Sequence, residues 1–96
     1  MTPEEEQRYG SEARTVLGNR AYQDAFAHVR ERLITILESA DTPADKRQRA
    51  NDLIVAMAKL KGYLEQAMAG GKMASEQIER DRTFAERVKD RIRSVA

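Results

Sequence analysis

The chain has no cysteine and no tryptophan, and its 96 residues include only two prolines, five glycines and five aromatic residues. Without cysteine there is no disulfide framework and no thiolate metal ligand, which fits a reducing compartment. Small chains with few large apolar residues usually gain stability from disulfides, metals or association. We therefore expect partner helices to supply the missing burial, and we expect the chain to form a homo-oligomer.

Long apolar runs and a basic leader segment are also missing. The chain begins Met-Thr-Pro-Glu-Glu-Glu, which predicts neither a signal peptide nor a membrane span. We expect a cytoplasmic protein that does not bind membranes. The 17 basic and 16 acidic residues nearly balance, giving a net charge of +1, so the chain as a whole is not a polycation that would bind nucleic acid through bulk charge.

The side chains that usually carry catalysis are scarce. His28 is the only histidine, and no glycine-rich phosphate loop follows a predicted strand. The acidic stretch 38–52 lacks the turn glycine and the converging oxygen ligands of a calcium loop. We therefore predict no enzyme activity, no catalytic residue, no metal site and no cofactor.

Two segments carry apolar residues at alternating steps of three and four, the spacing of an amphipathic helix. They predict helices over about 20–40 and about 43–69. A short connection makes such helices antiparallel neighbours, so the predicted fold is all-α, a long antiparallel helical hairpin within an oligomeric helical assembly. The predicted helix seam consists of Tyr22, Phe26, Val29, Leu33, Ile36, Leu53, Met57, Leu60 and Leu64.

Capping residues give the boundaries of these helices. Thr2-Pro3 and Asn19 are typical helix starts, and Thr42-Pro43 with Asp45 forms a predicted capping box that starts the second long helix. Gly70-Gly71 is the predicted end of that helix. The chain is then one helical domain over 1–96, with a short N-terminal helix (2–18), a hairpin (19–71) and a charged C-terminal helix (72–96).

The C-terminal segment has a thin apolar stripe among many charges, so we expect it to be completed by a partner protein. The predicted partner-binding residues are Phe84, Arg87, Val88, Arg91 and Ile92. Nucleic-acid binding is the alternative, because phosphate contacts need exposed basic side chains. Its candidate residues are Arg80, Arg82, Lys89 and Arg93. Acidic residues are interleaved with them and no aromatic stacking platform accompanies them, so a protein partner is favoured.

Several short patterns together resemble one group of proteins. They are Ala13-x-x-x-Leu17-x-Asn19-x-x-Tyr22-x-x-Ala25-Phe26, Thr42-Pro43-x-Asp45, Arg49-x-x-x-Leu53, and Gly62-Tyr63-Leu64 followed by Gly71-Lys72. Over about residues 13–72 the chain resembles small helical proteins of tailed bacteriophages and prophages, encoded among head-assembly and DNA-packaging genes.

The resemblance implies a context of virion assembly or DNA packaging. Together with the missing catalytic residues, it leads us to expect a non-enzymatic helical assembly or adaptor protein, in the host cytoplasm or on the virion, with a phage structural or packaging component as partner. Two alternatives stay open. One is a DNA-binding packaging subunit like the small terminase. The other is a phage-encoded inhibitor of a host or defence protein.

Overall fold

The computed structural model describes residues 1–95 and is helical almost throughout. Helix α1 spans Pro3–Gly18, α2 spans Arg20–Glu38 and α3 spans Ala44–Val95. No strand occurs within residues 1–95. The predicted all-α class is confirmed.

The first two helices begin at the caps that the sequence indicates. The Thr2 hydroxyl accepts a hydrogen bond from the Glu5 N–H at 3.2 Å. The Asn19 side chain accepts one from the Tyr22 N–H at 2.9 Å. Each bond pairs one of the free N–H groups in the first turn of a helix. Asn19 alone separates α1 from α2, so the two helices follow each other with a one-residue break.

The bend between α2 and α3 differs from the prediction. The Thr42 hydroxyl donates to the carbonyl of Ile36 at 2.8 Å, and Arg47 donates from its side chain to the carbonyl of Ser39 at 3.1 Å. Both bonds therefore pair carbonyl groups at the end of α2, which lack partners inside the helix. The expected capping box between Thr42 and Asp45 is thus replaced by a cap on the preceding helix.

The predicted end of the second long helix at Gly70-Gly71 is wrong. Helix α3 runs without interruption from Ala44 to Val95, so residues 72–95 continue it and do not form a separate helix. A glycine C-cap needs the left-handed backbone conformation, and no glycine among residues 1–95 has a positive φ. The flanking residues are good helix formers, which offset a cost of about 1 kcal/mol per glycine.

Gly71 has a packing role in place of the predicted capping role. A Cβ atom built on Gly10 would lie 2.6 Å from the Cα of Gly71, and one built on Gly71 would lie 2.7 Å from the Cα of Gly10. The backbones of α1 and α3 therefore touch, which only glycine allows at both positions. Ala13 and Ala74 are buried at the same interface.

Helices α1 and α2 contact different lengths of α3. Gly10 lies against Gly71, Phe26 lies under the ammonium group of Lys61 at 5.5 Å, and Leu33 shares a groove with Ala50. The molecule measures 82 × 23 × 16 Å, and 52 helical residues at 1.5 Å each account for its long axis.

We expect Gly10→Ala and Gly71→Ala each to lower the melting temperature, because the added methyl group forces the two backbones apart. Gly62 and Gly70 provide matched controls in the same helix as Gly71, since a Cβ at either position meets nothing within 4 Å. Alanine there should stabilise the protein by about 0.5–1 kcal/mol through helix propensity alone. Thermal unfolding followed by circular dichroism measures all four variants. Equal effects at Gly70 and Gly71 would contradict the close contact.

Candidate interaction site

The end of α3 extends beyond the other helices. Every residue from 84 to 95 is exposed, including Phe84 at 68% and Ile92 at 63% of their possible surface. Val88 and Val95 are also exposed. We call residues 79–95 the tail. All five predicted partner-binding residues lie on it, and all five are exposed.

Charges in the tail are arranged around its apolar stripe. With 100° of rotation per residue, Val88 and Ile92 lie 40° apart, and Lys89 and Arg91 lie about 80° to either side of the centre between them. Asp90 lies on the opposite side, about 180° away. Lys89 and Arg91 therefore flank the apolar stripe, while Asp90 faces away. Asp81 lies seven residues before Val88 and seven after Ala74, so it interrupts the stripe toward the buried part of α3.

One tail arginine is partly neutralised within the helix. The Arg82 guanidinium donates to the Glu79 carboxylate at 2.6 Å, and this hydrogen bond raises the pKa of Arg82 above its ordinary value. Both side chains are more than half exposed, so the pair contributes little to stability. Of the four candidate nucleic-acid contacts, Arg82 is thus already paired, and Arg80, Lys89 and Arg93 are exposed on the tail.

The nine predicted seam residues fall into two groups. Leu33 is buried at 8% exposure, and Tyr22, Phe26, Met57 and Leu64 are half-buried. The other four, Val29, Ile36, Leu53 and Leu60, are exposed. The expectation that Leu60 is buried by the hairpin is therefore not met in the single chain. Ala50, Ile54 and Leu37 take part of the interface instead, because α2 packs on a neighbouring side of the predicted stripe.

A shallow groove of about 500 Å³ lies at the bend, between the end of α2 and the start of α3. Its apolar lining includes Leu33, Ile36 and Leu53, and its polar lining includes Lys46, Arg49 and Asp41. Within the described part of the chain no three His, Asp or Glu side chains are grouped so that they could hold a metal ion. No described helix is long and apolar enough to cross a membrane.

The close contact between α1 and α3 was missed from the sequence, although a signal for it exists. Small residues recur at heptad spacing in both segments, Gly10 and Ala13 in one and Ala67, Gly71 and Ala74 in the other. Such rows of small side chains let two helix backbones approach closely. Tyr9 and Tyr63 pack edge to face beside this contact, with ring centroids 6.4 Å apart. The neighbouring phenol group of Tyr63 raises the pKa of Tyr9.

Comparison with protein-family models, with curated proteins and with solved structures finds no match for this chain.

The burial pattern predicts unequal costs for two leucine substitutions. Leu33→Ala should destabilise the protein by about 2–5 kcal/mol, as truncation of a buried leucine does. Leu60 is 56% exposed, so Leu60→Ala should cost much less at low protein concentration. Denaturant unfolding at low protein concentration measures both changes. Equal losses would show that Leu60 is buried within the single chain and would contradict the packing described above.

Proposed function

We propose that this protein is a non-enzymatic helical assembly or adaptor protein, and that it binds a partner protein through its tail. The paired part of the chain, residues 3–78, acts as an antiparallel helical hairpin, a proposal supported by the opposite order of contacts along the helices. The single observation that carries the proposal is the exposed tail, in which every residue from 84 to 95 is accessible to a partner.

The tail has the chemistry of a helix that docks into a groove. An exposed apolar stripe supplies the affinity of such contacts, and flanking charges select the partner and its orientation. Here the flanks are cationic, through Lys89 and Arg91, so a partner groove with an acidic rim would fit. We infer that the apolar side chains Phe84, Val88 and Ile92 carry most of the binding energy.

The biological setting is proposed from the resemblance to small tailed-phage proteins. In that setting the partner is a structural or packaging component of the virion, and the hairpin positions the tail in the assembly. An inhibitor that docks on a host or defence protein would use the same helix-in-groove contact. A DNA-binding packaging subunit would instead use the exposed cations Arg80, Lys89 and Arg93.

Two paired variants in the tail separate a protein contact from a nucleic-acid contact. In affinity capture from infected or induced cells, Val88→Ser with Ile92→Ser should remove the partner. Arg87→Glu with Arg91→Glu should weaken capture less, because exposed charges contribute modestly to affinity. Fluorescence anisotropy with a labelled DNA duplex supplies the second arm. Tight binding that falls steeply with salt, and that is lost on charge reversal, would identify phosphate contacts and overturn the protein proposal.

Deletion of residues 79–96 tests whether the tail is separate from the folded hairpin. The shortened chain should keep its helical circular dichroism and its melting temperature, because every residue from 84 to 95 is exposed. It should lose the partner in the capture experiment. A shortened chain that unfolds would contradict this separation, since the tail would then contribute to the core.

A further inference from the structure

One side of the paired helices carries a row of exposed apolar side chains. Their exposed fractions range from 38% for Ile36 to 58% for Tyr63. We call this row the apolar face. It consists of Val16, Val29, Ile36, Leu53, Leu60 and Tyr63.

Contacts and spacing place these residues on the same side. Ile36 and Leu53 line one groove between α2 and α3. Residues seven apart lie above one another on a helix, so Val29 lies in line with Ile36, and Leu60 with Leu53. Tyr63 follows Leu60 by three residues and contacts Tyr9 on α1. The apolar face therefore runs from the bend to the middle of α1.

The chain exposes far more surface than a compact protein of its size. Its accessible surface is 7927 Å², against roughly 5,600 Å² for a compact monomer of this mass. The excess of roughly 2,300 Å² is shared between the exposed tail and the paired helices, and each partner contributes about 800 Å² to a standard interface. The radius of gyration is 22.3 Å, against roughly 12.5 Å for a compact chain of this length. The extended shape thus leaves the apolar face uncovered within the single chain.

The two ends of the apolar face carry opposite charges. Lys46 and Arg49 line the groove at the bend, together with one acid, Asp41, and Arg32 lies between Val29 and Ile36 on the same side of α2. At the other end, Glu12 lies between Tyr9 and Val16 on one side of α1, close enough to Tyr9 to affect its pKa. Glu5 lies one turn before Tyr9 on that side.

We propose that a second copy of this chain covers the apolar face. The two copies pack face to face about a two-fold axis near Leu60, so that the bend of one copy lies against the N-terminal end of its partner. Four helices then surround one apolar core, and the two tails point in opposite directions. This inference rests on the hairpin of the proposed function.

The charges favour packing with opposite ends together over packing with the two bends together. If the copies packed with their bends together, Arg32, Lys46 and Arg49 would meet their own equivalents, and like charges across an interface are unfavourable. When opposite ends pack together, these cations lie against Glu5 and Glu12 of the second copy. The arrangement is isologous and closes on itself, as two-fold dimers do.

The molecular mass in solution tests whether a second copy covers the apolar face. At about 100 µM, well above the Kd expected for a standard interface, light scattering should give twice the chain mass of 10.9 kDa. Leu53→Glu with Leu60→Glu should give a monomer with unchanged helical circular dichroism. The matched control is Val55→Glu, because Val55 is 44% exposed but lies about 200° round the helix from Leu53; it should stay dimeric. A monomeric wild-type chain, or dissociation by Val55→Glu alone, would overturn the proposal.

A charge exchange tests the orientation independently of the apolar substitutions. Glu12→Arg and Arg32→Glu should each raise the Kd of the dimer about tenfold, and the double variant should return it to near the wild-type value. A double variant that is weaker than either single variant would contradict the opposed ends.

Deletion of the tail separates this inference from the proposed function. The chain without residues 79–96 should still dimerise, although it should no longer capture the partner. A monomeric full-length chain that captures the partner would remove the inference and keep the function. A chain that dimerises but captures no partner would keep this inference and remove the proposed function.

Discussion

The contact of Gly10 with Gly71 is the constraint on which the rest of the structure depends. Two helix backbones can touch only where both lack a Cβ atom, and a Cβ on either glycine would overlap the opposite backbone. The contact fixes α1 against the middle of α3. It also fixes the lengthwise position of α2, because Asn19 alone separates α1 from α2. The buried positions of the long α3 end with Ala74, and every residue from 84 to 95 is exposed.

The difference in length between α3 and the other two helices leaves two surfaces exposed, the tail and the apolar face. Helix α3 has 52 residues, whereas α1 and α2 together have fewer, so the tail is left exposed. The paired part is only two helices thick, so each helix buries a narrow stripe and leaves its flank uncovered. In residues 1–95 the buried apolar side chains are Ala13, Leu33, Ala50 and Ala74. A core of mostly alanine cannot contribute much hydrophobic stabilisation, which favours association with further helices.

The sequence predicted the helical class and the caps at Thr2 and Asn19, because these depend on local hydrogen bonds and periodicity. The prediction from sequence failed at Gly71. Glycine suits both a helix C-cap and a close contact between two helices, and only the helix packed against it decides which role it has. The prediction also placed Leu60 in the hairpin seam. A heptad pattern gives the side of a helix that is apolar, but it does not say whether the same chain or another one covers it. The thin apolar stripe near the C-terminal end was visible in the sequence, but the predicted helix start at residue 72 lies inside α3, where Ala74 is buried.

The arrangement of the helices depends on contact between Gly10 and Gly71 within one folded chain. Nuclear Overhauser spectroscopy on isotope-labelled protein tests this contact directly, since the alpha protons of two glycines in backbone contact lie well within the short range of the effect. We expect a strong cross-peak between the alpha protons of Gly10 and Gly71, together with helical chemical shifts at Gly70 and Gly71. Absence of the cross-peak, with non-helical shifts at Gly71, would show that α3 ends there and would contradict the structure described above.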